Sequence, residues 1–143
     1  MSGDRIPMSR DGYENKKAEL EQANREMLEV TKRVAAARDM GDLSENAEYH
    51  AAREDQGMLQ ARINLLKDQL ARAYIVERSD VPDGVVVFGA RVLVRDLDLD
   101  EEEEFVLVGP GDDDPLNNRI LTTSPIGQGL MGKRCGEIAE IQA

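Results

Sequence analysis

Two seams that step alternately by three and four residues constrain this chain more than any other feature. The first runs through Tyr13, Lys16, Leu20, Ala23, Met27, Val30, Val34 and Ala37; the second through Tyr49, Ala52, Gln56, Leu59, Ile63, Leu66, Leu70 and Ala73. Such spacing keeps one stripe of a helix turned toward a partner helix. When the seams are paired antiparallel, the numbers of opposed residues add to 86: Tyr13 with Ala73, Leu20 with Leu66, Met27 with Leu59, Ala37 with Tyr49. The midpoint, residue 43, falls in Gly41-Asp42-Leu43-Ser44, the only turn-like stretch between the seams. The spacing therefore predicts a helical hairpin, with Ser9 as N-cap and Asp11 in the first turn. Arms of about 30 residues, at about 1.5 Å each, give a reach of roughly 45 Å. Lys16 is the charged intruder, its stem expected along the seam and its ammonium in water. Bulky Leu20, Met27, Leu59, Ile63, Leu66 and Leu70 lie toward the base, and Ala, Val and Gln dominate toward the tip. Stability does not require so thin a finger, so its reach is expected to be its function.

Residues 79–143 have a different character. After Ser79-Asp80-Val81-Pro82-Asp83-Gly84 come short β-rich runs, Val85 to Phe88, Arg91 to Val94, Phe105 to Val108, Ile120 to Thr123 and Ile138 to Ile141. Gly, Pro and acidic turns separate them. The spacing predicts a small, mostly antiparallel sheet, with Asp96 to Glu104 and Asp112 to Asp114 as solvated loops and a helical turn or two around Leu130 and Met131. The fold class is thus α+β: an antiparallel helical hairpin (coiled coil) over 1–78 and a small antiparallel β domain over 79–143. Aromatic residues make up only 3% of the chain and Trp is absent, so a small aliphatic core is expected.

Charge narrows the partners. Of the net −11, residues 1–78 carry −2 (13 basic, 15 acidic) and residues 79–143 carry −9 (5 basic, 14 acidic). A polyanion lacks the Lys and Arg that displace counterions from a nucleic acid, so strong free nucleic-acid binding is not expected and a protein partner is. No run approaches the roughly 20 apolar residues of a membrane span, and the N-terminus has no signal-peptide pattern. Cys135 stands alone, without a disulfide or cysteine metal cage. A cytoplasmic location is expected.

At the tip, Asp42 and Glu45 admit two readings. They form a D-x-x-E capping box for the second helix, or a pair of carboxylates on a rigid rod able to complete the oxygen shell of a weakly held Mg²⁺. Leu43 at the apex either folds back on Met40 and Ala47 or inserts into a partner. Arg38 and Arg53 flank the tip and offer positive charge, or are ordinary surface residues. His50 lies off the seam, and Glu48 one turn beyond Glu45; both read as surface.

The segment from Gly41 to Glu54, Gly-Asp-Leu-Ser-Glu-Asn-Ala-Glu-Tyr-His-Ala-Ala-Arg-Glu, resembles the tip motif of the GreA/GreB transcript-cleavage factors. The chain is similar to that family also at Ile6-Pro7-Met8-Ser9 with Gly12-Tyr13, at Val87-Phe88-Gly89-Ala90, and from Ser124-Pro125-Ile126 to Leu130-Met131-Gly132-Lys133. The resemblance, closest to GreA, implies an FKBP-like C-terminal domain and a transcription elongation factor that binds RNA polymerase. It implies that the hairpin tip enters the polymerase channel and stimulates the polymerase's own cleavage of backtracked nascent RNA. The chain would then be an accessory factor and not itself an enzyme. Asp42 and Glu45 would share Mg²⁺ with the polymerase and hold none in isolation; Arg53, Arg38 and Leu43 would meet the RNA 3′ end or the channel. Thr123, Ser124 and Pro125 correspond to part of the family's polymerase-docking surface, although some members have an acidic or amide residue in place of Thr123.

Family members usually continue past the last β run with a Pro-Gly turn and a final strand, whereas this sequence stops at Ala143, so the domain is expected to lack that strand. The alternative in the same channel is a Gre-like inhibitor without cleavage, which the intact acidic tip disfavours. A prolyl-isomerase or chaperone role would need an aromatic pocket, for which only Phe88 and Phe105 are at hand.

Overall fold

The computed structural model describes residues 4–41, 45–77 and 83–141. The order is β1 (Ile6–Met8), α1 (Arg10–Arg38), α2 (Ala47–Arg72), β2 (Ala73–Ile75), β3 (Arg91–Asp96), β4 (Glu101–Val108), β5 (Arg119–Leu121) and α3 (Pro125–Leu130). By contacts the chain divides into two units, Lys16–Ala71 and Met1–Asn15 with Arg72–Ala143. The boundary at 78/79 suggested by composition lies outside the described residues, as does the expected turn centre at residue 43. No helix among the described residues is long and apolar enough to cross a membrane.

In the helical unit every seam position is buried or half-buried. Ala23, Ile63 and Leu66 form one cluster, joined by Leu20, Met27 and Leu59, and Val30, Val34 and Ala52 form the next, joined by Tyr49 and Leu59. These are the antiparallel partners that the register demands. Lys16 departs from expectation: its side chain is 17% exposed and its ammonium lies 3.4 Å from Glu19. Across the helices Arg62 donates to Glu19 Oε1 at 3.0 Å, and Arg33 to Asp55 at 3.0 Å. Half-burial pushes the Glu19 carboxyl up, but the Arg62 hydrogen bond and the Lys16 charge outweigh it and hold the group below its ordinary 4.5.

In the other unit, Ser9 is the cap that the sequence indicates. Its Oγ accepts from the Gly12 N–H at 2.9 Å and donates to the Asp112 carboxylate. Asp112 is therefore not a solvated loop residue; its side chain is 13% exposed and Arg119 approaches it at 3.9 Å. Strand β1 pairs in parallel with β2, Ile6 opposite Ala73 and Met8 opposite Ile75, and Met8 is fully buried. This pair has no signature in the sequence, because three-residue strands show no alternation and Ala73 continues the helical seam. Arg5 stacks over the Tyr74 ring at 4.8 Å.

The main sheet is mixed, with β3–β4 antiparallel and β4–β5 parallel. The block Asp96 to Glu104 is a correction: β3 reaches Asp96, and Glu101 to Glu104 are strand residues, paired from Asp96↔Glu101 to Leu93↔Glu104. Glutamate is a poor strand former, but the ladder and the ion pairs Arg91–Glu104 (2.7 Å) and Arg95–Asp100 (2.5 Å) override local preference. Asp96 Oδ1 accepts from the Asp98 and Leu99 N–H groups and turns the chain. Val85 to Phe88 supplies only an isolated bridge, Val85 with Arg134. Ile138 to Ile141 is not a strand: Ala139 packs on the Phe105, Leu107 and Leu130 core, and Ile141 lies against Gly129 of α3.

A Cβ on Gly109 would overlap the Pro7 carbonyl oxygen and sit 2.8 Å from the Phe88 ring, whereas one on Gly57, in the middle of α2, meets open space. Gly109→Ala should destabilise by about 1–3 kcal/mol through overpacking, and Gly57→Ala should stabilise by about 1 kcal/mol through helix propensity. Chemical denaturation of the two variants beside wild type checks both signs. Glu19→Gln should lose about 0.5 kcal/mol at neutral pH, the scale of a half-exposed ion pair. Because the folded value is depressed, that loss is full above the ordinary carboxylate pKa of 4.5 and fades as pH falls through the folded value. Urea titrations of both proteins across acidic pH test the convergence.

Candidate functional site: the hairpin tip

Helix α1 ends at Arg38 in the orphan carbonyls that every helix end leaves. The Met40 N–H donates to the Ala37 carbonyl at 3.2 Å and the Gly41 N–H to that of Arg38 at 3.4 Å, and Gly41 takes a positive φ of 117°. On the far side α2 begins at Ala47. Its cap is Asn46, whose Oδ1 accepts from the Tyr49 N–H at 3.0 Å. The Asp42/Glu45 capping box is thereby corrected: Glu45 lies before the cap, in a turn, so it cannot be the third residue of the helix. The amide Nδ2 of Asn46 also donates to the Ala37 carbonyl at 2.6 Å.

Glu45 is exposed, with its carboxylate free of the helix backbone ladder. Asp42 and Leu43 lie outside the described residues. Arg38, the last residue of α1, is exposed; Arg53 is exposed on α2 and donates to Gln56 Oε1 at 2.9 Å. Among the described residues, no hydrogen bond or ion pair joins either arginine to Glu45. Glu48 is exposed in the first turn of α2, where its charge suits the helix dipole. His50 is exposed, edge-to-face with Tyr49 at 5.5 Å between ring centres. Among the described residues no three His, Cys, Asp or Glu side chains converge on a point that could hold a metal ion. Glu45 can offer one exposed carboxylate to such an ion.

Thr123, Ser124 and Pro125 lie in the other unit, at the start of α3. Ser124 is the N-cap: its Oγ accepts from the Gly127 N–H at 3.1 Å and donates to the Leu121 carbonyl at 2.7 Å. Pro125 follows at the first helical position, where its missing N–H is not needed. Thr123 and Pro125 are exposed. The residue that sequence reasoning passed over is Asn46. An Asn directly before the first seam residues of α2 was the available signal.

Residues 6–75 match the family described as "Transcription elongation factor, N-terminal", and residues 81–143 the one described as "Transcription elongation factor, GreA/GreB, C-term". The transcription elongation factor GreA of Thermodesulfovibrio yellowstonii is 50% identical over 98% of this chain and 89% of its own length. That of Thermosipho africanus is 42% identical over 100% of this chain and 91% of its own. Among solved structures, GreA factor homolog 1 (Gfh1) of Thermus thermophilus is similar with a TM-score of 0.51 at 27% identity, covering 97% of this chain and 90% of that one. A second structure of the transcription factor Gfh1 gives 0.55 at 26% identity, covering 99% and 91%.

Because Ser124 caps α3, Ser124→Ala should destabilise the sheet unit by about 1 kcal/mol, while Thr123→Ala, at an exposed position, should change stability by less than about 0.5 kcal/mol. Thermal or urea unfolding of the pair checks this, and makes Thr123 the cleaner probe of surface recognition.

Proposed function

The chain belongs to the GreA/GreB family of transcription elongation factors, and from that premise we propose that it stimulates RNA polymerase to cleave backtracked nascent RNA, acting as an accessory and not as an enzyme itself. The observation that carries this reading is an exposed carboxylate, Glu45, at the end of a helical hairpin whose two arms are held in one register. A rod of this form delivers charge to a recessed site and needs no pocket of its own.

In this reading the polymerase provides the reacting centre and most of the ligands. Asp42 and Glu45 would hold a Mg²⁺ shared with the polymerase; two carboxylates alone are too few to retain it in water. When bound, that ion supplies the charge that activates a water and stabilises the leaving oxygen of a phosphodiester. Arg53 and Arg38 draw the RNA 3′ segment or the acidic channel wall toward the tip by electrostatic attraction, which salt screens. Leu43 enters the polymerase channel. Thr123, with Pro125 beside it, contributes to the docking face on the polymerase.

The test is a stalled, backtracked elongation complex incubated with the protein and assayed for short 3′ RNA fragments. The wild-type chain should release them. Asp42→Asn and Glu45→Gln keep shape but remove charge, and each should slow release by about 100-fold or more, the scale of one lost electrostatic contact to a reacting centre. Binding to polymerase should change little. Absence of fragments with the wild-type chain overturns the cleavage reading, and wild-type rates in either variant remove that residue from it.

A further inference from the structure

We propose that Asn46 is a positioning residue that locks the two helices at the tip and thereby fixes Glu45; this rests on the reading of the tip as the reactive end. The side chain is bound at both ends of its planar amide. Oδ1 accepts from the Tyr49 N–H at 3.0 Å, and Nδ2 donates to the Ala37 carbonyl at 2.6 Å. Ala37 lies in the last turn of α1 and Tyr49 in the first turn of α2, and they are the last opposed pair of the seam. One rigid group thus bridges the end of one helix to the start of the other.

The seam itself fixes this end weakly. Toward the base, Leu20, Met27, Leu59, Ile63 and Leu66 interlock, but near the tip the packing is made by Val34, Ala37, Ala52 and Tyr49. Three of these four are Val or Ala, and such short side chains interlock little, so axial sliding there changes few apolar contacts. Hydrogen bonds are directional and resist it. Glu45 is covalently next to Asn46, so the amide that sets the helix register also sets where the carboxylate begins.

A helix cap alone needs only an acceptor, which Ser supplies as well as Asn. The bond to Ala37 needs a donor held at the same time on a longer, planar group. Asn46→Ser therefore keeps the cap and removes the cross-link, whereas Asn46→Ala removes both. In Asn46→Ser, the Met40 and Gly41 amides, which close the last turn of α1, should exchange about three- to ten-fold faster, the effect of one lost hydrogen bond. The Ile63 and Leu66 amides at the base should be unchanged. At saturating factor the rate of RNA fragment release should fall by about ten-fold or more, as misplaced reacting groups produce, while the half-saturating concentration of factor stays at the wild-type value. Unchanged exchange at Met40 and Gly41 overturns the clamp, and wild-type release at saturation overturns its positioning role. If the wild-type factor releases no fragments, that failure belongs to the proposed function, and the exchange result alone then upholds or overturns the clamp.

Discussion

The antiparallel register of the two seams is the constraint from which the rest of the helical unit follows. Opposed side chains meet at positions that run in opposite senses along the chain, so the packing of Leu20, Met27 and Leu59 around Ala23, Ile63 and Leu66 also decides which residues can reach the tip. Tight, bulky contacts at one end and small ones at the other produce a finger whose base is held by buried area. Its far end depends instead on a few directed hydrogen bonds. Ion pairs across the seam, Arg62 with Glu19 and Arg33 with Asp55, obey the same register and reinforce it without creating it.

That division of labour suits the role proposed for the tip, which would work by reach. Under the proposed function, apolar surface at the tip would be sticky where a partner's channel must admit it, and a carboxylate must stay hydrated until it is delivered. Asn46 answers both needs, since it closes two helix ends with one polar group and leaves Glu45 outside the ladder. Its amide uses a donor and an acceptor that would otherwise need two residues.

The sheet unit is built by close approach. Pro7 lies directly over Gly109, and the first turn of α1 at Gly12 lies against Gly111, so glycine is required where backbone meets backbone. Ser9 and Asp112 join these segments through side chains. Strand β3–β4 carries a dense row of acids on a paired ladder, with Arg91 and Arg95 as its cationic counterweights. The unit's negative charge is therefore held on regular structure and not only on loops.

The hairpin was legible because a period of three and four over many residues marks a helix with one buried stripe, and because two independent seams agree on one midpoint. Ser9 as cap was legible for a local reason: one hydroxyl satisfies one free N–H. The family was legible at the tip, in Gly41 to Glu54, where the order of residues is specific. Strands β1 and β2, the glutamates of β4 and the packing of Ile138 to Ile141 on α3 were not legible. A strand is decided by a partner far along the chain, and three residues or a run of acids give no periodic signal of that partner. The helix start at Asn46 was open for a related reason. Asp42, Ser44 and Asn46 are all good caps by composition, and only the position of the Ala37 carbonyl, supplied by the other helix, selects the residue able to bond in both directions.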